Sequence, residues 1–243
     1  MPDGIAACLF DLDGVLTQTA KVHKAAWKEI FDAYLEARAR RTGQPFVAFD
    51  DDDYDTYIDG KLRTDGTRSF LASRGISLPE GNPDDPPEAE TIVGLSNRKN
   101  ALLLQKLRNE GVQVYPGSAR YVKAVREAGL KHAVVSASAN THDVLRAAQL
   151  DNQFDVVIDG IVAVKDHLRG KPAPDSYLAA ARALQVEPAH AAVFEDALAG
   201  CESGRAGHFG CVVGVDRVGQ RDALLQHGAD IVVKDLSELL DHT

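Results

Sequence analysis

Two aspartates one residue apart, Asp11 and Asp13, close the short apolar run Ile5-Ala6-Ala7-Cys8-Leu9-Phe10 and are followed at once by Gly14. A run of that length reads as a buried strand, so its end presents two carboxylates and a turn in one place. Such a pair can share one cation and divide two tasks: one carboxylate attacks as a nucleophile while the other moves a proton. Taken alone, the motif is equally an ordinary strand-ending turn. Three other segments bear on the choice: Ser136-Ala137-Ser138, Gly170-Lys171-Pro172-Ala173-Pro174-Asp175 and Glu195-Asp196. Carboxylates gathered without a counter-charge raise one another's pKa, a cost that a divalent cation removes. Hard oxygen donors with open positions suit Mg²⁺ bound together with a substrate phosphate, and a lysine and a serine suit phosphoryl oxygens as charge moves.

These groups require a scaffold that brings strand ends together. Buried strands are expected at Ile5–Phe10, His132–Ser136, Val156–Ile158, Ala191–Glu195, Cys211–Val215 and Ile231–Val233. Helical spacing lies between most of them, at Ser118–Ala128, Thr141–Gln149, Asp175–Leu184 and Asp222–His227. Strand–helix alternation implies an α/β fold, a parallel sheet covered by helices on both faces. Right-handed crossovers then place the polar strand ends along one edge. The stretch from about Lys21 to Arg108 breaks the alternation with helical patterns at Lys24–Ala39, Asp53–Ile58, Asp65–Ser73 and Arg98–Asn109. It reads as an inserted α-helical domain, 18–111, in a core made of 1–17 and 112–243, with hinges at Val15–Ala20 and Glu110–Gly117. Within it, Gly75–Gly94 is rich in Pro, Gly and acid and reads as an exposed loop.

Composition narrows the partners. The chain has 243 residues, 44% hydrophobic and 26% charged, with a net charge of -9, values ordinary for a soluble globule. The negative balance argues against a nucleic-acid partner held by phosphate neutralisation, yet leaves room for a local positive pocket. Cys8, Cys201 and Cys211 are odd in number, and reduced, buried thiols of a cytoplasmic protein are expected. No apolar run approaches the ~20 residues of a membrane span, and the N-terminus carries no basic-then-apolar secretion pattern. No Walker-type loop is present, because Gly170-Lys171 is followed by proline. The acidic run Asp50–Asp55 lacks the glycine and closing glutamate of a calcium loop and is better explained as charge at a helix N-terminus. Trp27 is expected to pack in the inserted domain.

With these segments in order along nearly the whole chain, the sequence resembles the haloacid dehalogenase superfamily, and within it the β-phosphoglucomutase-like subfamily. The residues carrying the resemblance are Asp11-Leu12-Asp13-Gly14-Val15-Leu16-Thr17, His23 to Trp27, Val114-Tyr115-Pro116-Gly117, Ser136-Ala137-Ser138, Gly170 to Asp175 and Phe194-Glu195-Asp196. The resemblance implies a Rossmann-like parallel sheet core with a helical cap. It further implies Asp11 as the nucleophile that becomes an aspartyl phosphate and Asp13 as the general acid and base. Mg²⁺ would be held by Asp11, the Asp13 backbone carbonyl and Asp196, with Glu195 beside or on the metal. Ser136 and Lys171 would grip the transferring phosphoryl group, and Thr19 and His23 would support cap closure and the general acid.

The same resemblance places Gly60 and Arg63 in a cap segment where an arginine fork grips a distal phosphate. Ser138 and Asn140 fall in a core loop that assists, and Lys99 and Asn100 form a polar pair toward the substrate. It implies a small phosphorylated sugar as partner, a monomer or weak homodimer, and interconversion of β-glucose 1-phosphate and glucose 6-phosphate through the bisphosphate. Two departures weigh against a mutase: the subfamily carries lysines where this chain has Asp59 and Ala139, so a sugar-phosphate phosphatase with the same nucleophile is the rival. For Arg63 the alternative is a surface ion pair with Asp59 or Asp65. A non-catalytic module of the same fold is the third reading, disfavoured by the joint presence of both acid pairs, the serine and the lysine.

Overall fold

A computed structural model describes residues 4–240 of the chain. In chain order the elements are β1 (Ala7–Phe10), α1 (Ala20–Thr42), α2 (Asp51–Asp53, continuing as a π-turn over Tyr54–Ile58), α3 (Arg63–Ser73), α4 (Ile92–Glu110), α5 (Pro116–Glu127), β2 (Lys131–Val135), α6 (Thr141–Ala147), β3 (Val156–Ile158), α7 (Gly160–Lys165), α8 (Asp175–Ala183), β4 (Ala191–Glu195), α9 (Leu198–Ala206), β5 (Cys211–Val215), α10 (Arg221–Gln226) and β6 (Ile231–Val233). The chain divides into two compact units. The first takes in the chain up to Thr19, Gly60–Leu62 and the chain from Val112 onward; the second is Ala20–Asp59 with Arg63–Gly111.

The first unit is built on one six-stranded sheet in the order β3-β2-β1-β4-β5-β6, with every pairing parallel. Burial on both faces explains why β1, β4 and β5 read as unbroken apolar runs: each of their residues is buried. On one face Leu9, Ala133, Val135 and Val193 pack with Tyr177, Ala180 and Leu184 from α8 and its end. On the other, Phe10 stacks on Phe194 at 4.6 Å between ring centres and meets Tyr121 of α5 edge-on. From β1 the chain builds outward through β2 and β3, then returns to β4 on the other side of β1. The strand order therefore reverses between β1 and β4, and their carboxyl ends flank the crevice where such sheets bind ligands.

The second unit has its own core, formed by Trp27, Ile30, Phe31, Phe49, Phe70 and Leu95, with Phe31 and Phe70 rings 4.3 Å apart. Trp27 packs there on Phe31, as expected. The acidic run acts as a helix start: Asp50 caps α2 in a reciprocal capping box with Asp53, and Lys24 pairs with Asp51 at 2.9 Å. Cys8, Cys201 and Cys211 are free and buried. No described helix is long and apolar enough to cross a membrane.

Several boundaries differ from the pattern-based expectation. β1 begins at Ala7 rather than Ile5, and β2 ends at Val135, so Ser136 lies just past its strand. Helix α4 starts six residues before Arg98, because the Thr91 hydroxyl accepts from the Gly94 N–H at 2.9 Å and caps the turn. The Pro- and Gly-rich lead-in obscures that start, and the loop after α3 is correspondingly shorter. Helix α9 completes the alternation between β4 and β5, where the spacing predicts no helix, and α7 is a second helix ahead of α8 in the β3–β4 connection.

Candidate active site

Phe10 pairs with Val134 on one side and Phe194 on the other, and the Asp11 N–H donates to the Phe194 carbonyl at 2.9 Å. This register delivers Asp11, Ser136 and the Glu195-Asp196 pair from three adjacent strand ends. Oxygens of Asp11, Glu195 and Asp196 come within 4.8 Å of one another, and all three residues are buried. Gly14, at φ +92, lets Asp196 approach the first loop: a Cβ at Gly14 would stand 1.7 Å from Asp196 Oδ2. Gly200 does the same for Glu195, whose carboxyl carbon would lie 1.9 Å from an added Cβ.

Lys171 is the counter-charge. Its ammonium donates to Asp11 Oδ1 at 2.6 Å and to the Val135 carbonyl at 3.4 Å, and forms an ion pair with Glu195. A solvated loop charge is thereby excluded, since the Lys171 side chain is 2% exposed. Burial opposes the charge on Lys171, but attraction to Asp11 and Glu195 outweighs it and holds the ammonium well above its ordinary pKa. For Asp11, burial pushes the carboxyl up; Lys171 pulls it down, while Glu195 and Asp13 push it up again. Three buried carboxylates face one ammonium, and this surplus of negative oxygen donors fits a hard cation. The group can hold a metal ion.

Glu195 is fixed by more than the lysine: Tyr177 donates its hydroxyl to Glu195 Oε1 at 2.7 Å, and the Ala197 N–H lies 3.4 Å from Oε2. The side chain of Asp13 stands outside the acid group and accepts from the Thr19 hydroxyl. Thr17, 2.6 Å from Thr19, extends this chain of hydroxyls. Ser136 Oγ accepts from the Ser138 N–H at 3.1 Å, which leaves its own proton to donate elsewhere. Ser138 in turn accepts from the Asn140 N–H at 3.2 Å, and its carbonyl accepts from Thr141, so Ser136, Ser138 and Asn140 form one continuous loop before α6.

In the second unit, Lys99 is turned inward. Its ammonium lies 3.1 Å from His23 Nδ1 and 5.0 Å over the Trp27 ring, so Lys99 holds His23 in place; Asn100 follows it on α4. Arg63 opens α3. Its Nε is buried without a hydrogen-bond partner, and burial lowers the guanidinium's pKa. Asp65, one of the ion-pair partners weighed for it, binds Arg68 at 2.7 Å instead. Gly60 has a left-handed backbone, φ +72, and groups with the first unit.

Sequence reading missed Tyr177, Arg217 and Gln220. Tyr177 is a lone hydroxyl in an Ala-rich helix. Arg217 and Gln220 follow the carboxyl end of β5, on the same sheet edge as the acids, and that position was the available signal.

The fold and the clustered acids define an α/β enzyme of the phosphotransferase type, and the relatives agree. The haloacid dehalogenase-like hydrolase family matches residues 5–208, and the chain belongs to that family. β-Phosphoglucomutase from Mycobacterium bovis is 57% identical over 99% of this chain and 93% of its own length, and the Mycobacterium tuberculosis protein of that name matches equally. β-Phosphoglucomutase from Bacillus subtilis is 34% identical over 96% of this chain and 91% of its own. The crystal structure of β-phosphoglucomutase from Clostridium difficile has a TM-score of 0.75 at 25% identity, covering 97% of this chain and 93% of that one. The chain is an enzyme of this superfamily, an isomerase or phosphatase.

Proposed function

We propose that the chain interconverts β-glucose 1-phosphate and glucose 6-phosphate through glucose 1,6-bisphosphate and a phosphorylated Asp11. One observation carries this reading. Asp11 is buried against Lys171 and grouped with Glu195 and Asp196, whereas Asp13, two residues on, is held apart by Thr19. Two carboxylates in different surroundings take different roles. Asp11 attacks phosphorus, its new P–O bond replacing the bond to the sugar oxygen. Asp13 gives that departing oxygen a proton. In the second half, Asp13 removes the proton from the 6-hydroxyl of a β-glucose 1-phosphate, whose oxygen takes the phosphoryl group from Asp11 and re-forms the bisphosphate that the first half consumes. The hydroxyl chain through Thr19 and Thr17 supports Asp13 in both protonation states, because a hydroxyl donates or accepts.

Asp11, Glu195 and Asp196, with the Asp13 carbonyl, would hold Mg²⁺. When bound, it neutralises charge on the phosphoryl oxygens and on the acid group. Lys171 orients Asp11 and offsets part of the burial that raises its carboxyl pKa, and Ser136 donates to a phosphoryl oxygen. We assign Arg63 the sugar's distal phosphate: a buried guanidinium nitrogen without a partner is costly unless a ligand satisfies it.

The test is to supply β-glucose 1-phosphate and Mg²⁺ with and without a trace of glucose 1,6-bisphosphate, following glucose 6-phosphate and free phosphate together. Activation by the bisphosphate with little phosphate release is expected. Stoichiometric phosphate release would replace the mutase with the phosphatase, the reading that Asp59 and Ala139 favour.

A further inference from the structure

A third loop, carrying none of the acids, grips both loops that do. After β5, Asp216 closes its own turn: Oδ1 accepts from the Gly219 and Gln220 N–H groups at 2.7 and 2.8 Å, while its N–H donates to Val233 at the end of β6. Two side chains reach out from this turn. Arg217 Nε donates to the Gly14 carbonyl at 2.7 Å and Nη2 to the Val15 carbonyl at 3.3 Å. Its Nη1 donates to Lys234 at 2.8 Å, and its guanidinium lies 3.6 Å from the centre of the Tyr115 ring. Gln220 Nε2 donates to the Asp196 carbonyl at 3.0 Å. The Gly14 backbone and the Asp196 carboxylate are themselves in contact so close that no Cβ fits between them.

We propose that Arg217 and Gln220 are positioning residues that set the separation between the Asp11–Asp13 loop and the Glu195-Asp196 loop, and through it the affinity for the divalent cation. The inference rests on the cation reading above. Its physical basis is that the oxygen donors come from two loops on different strands, so the hydrogen-bonded sheet alone does not hold their tips in register. A guanidinium fork on two successive carbonyls fixes one tip in direction as well as distance, and the amide of Gln220 fixes the other. Both arms spring from one turn that its own aspartate rigidifies. Groups behind metal ligands commonly control affinity in this way. The Tyr115 stacking adds a tie to the chain crossing that precedes α5. There the Tyr115 N–H donates to Leu16 at 3.0 Å and Ser118 Oγ to Val15 at 2.6 Å.

The neighbouring Arg221 supplies the control, since its Nη1 donates to the Val232 carbonyl of β6 at 2.6 Å. Mg²⁺ binding to the substrate-free full chain is measured by calorimetry for the wild type, Arg217→Lys, Gln220→Ala and Arg221→Ala. Melting temperature without metal, and kcat and KM against Mg²⁺ concentration, are recorded beside it. The expected result is Mg²⁺ affinity weakened about 10- to 100-fold in Arg217→Lys and Gln220→Ala, with kcat recovering at high Mg²⁺ and sugar-phosphate KM little changed. Arg221→Ala lowers the melting temperature but keeps wild-type affinity. Wild-type affinity in both arm variants overturns the inference, and so does a loss in Arg221→Ala that matches theirs. A wild type that binds no Mg²⁺ overturns the cation reading itself and this inference with it.

Discussion

Lys171 and Asp11 form a buried ion pair 2.6 Å long, the side chains 2% and 10% exposed, between the start of the α8 segment and the end of β1. The same ammonium reaches Glu195, so a single cation balances carboxylates from two strand ends. Lys171→Met leaves those carboxylates buried without it. A buried pair broken from one side costs roughly 3–5 kcal/mol, and loss of a charge-stabilising donor costs about 10²–10³ in rate. Denaturant titration and kcat/KM measured on one preparation check both; a variant of wild-type stability contradicts the electrostatic account.

Asp11 and Asp13 separate by what each variant still does. Asp11→Asn abolishes ³²P incorporation from labelled bisphosphate. Asp13→Asn still becomes phosphorylated by acyl phosphate donors with good leaving groups, but transfers to sugar hydroxyls about 10²–10⁴-fold more slowly. Rapid-quench labelling measures the two steps separately.

Arg63 should behave unlike a structural arginine. Its Nε lacks a partner within the fold, so Arg63→Met is expected to keep or raise stability by roughly 1 kcal/mol. The same change raises sugar-phosphate KM about 10- to 100-fold, the worth of a charge-assisted hydrogen bond. Arg63→Lys recovers only part, having no fork. Steady-state kinetics with thermal melts decide the matter, and a large loss of stability with unchanged KM contradicts it.

Tyr177 donates to Glu195 in a fully buried position. Tyr177→Phe removes one oxygen and nothing else, leaving a buried carboxylate short of a donor. A destabilisation of about 1–3 kcal/mol is expected, read by chemical denaturation in the absence of metal.

The thiols give an alkaline signature. Burial pushes Cys8 up to about 12 and Cys211 up to about 11 from an ordinary 9.0. Unfolded thiols ionise first, near ~8.5, so the native state binds more protons above that pH. The thiols' contribution to stability is therefore complete below it and drains away as pH climbs through 11–12. Ellman titration should find all three cysteines unreactive in the native chain at pH 8, with reactivity appearing only together with unfolding at higher pH.

The alternating apolar runs and the acids at their ends were legible from local spacing. Strand period and burial are properties of a few consecutive residues, which is why four of the six strands, Val156–Ile158, Ala191–Glu195, Cys211–Val215 and Ile231–Val233, match the pattern residue for residue. Asp11, Asp13, Ser136, Lys171, Glu195 and Asp196 could be named from residue type and position alone. Their partners could not. Lys171 stands 160 residues from Asp11 and Arg217 203 from Gly14, and neither pairing follows from any period along the chain. The order in which six strands lie side by side decides which carbonyl an arginine fork meets, which glutamate a buried tyrosine holds, and which aspartate stays clear of the acid group. Those choices belong to packing in three dimensions, where each contact depends on every crossover that precedes it.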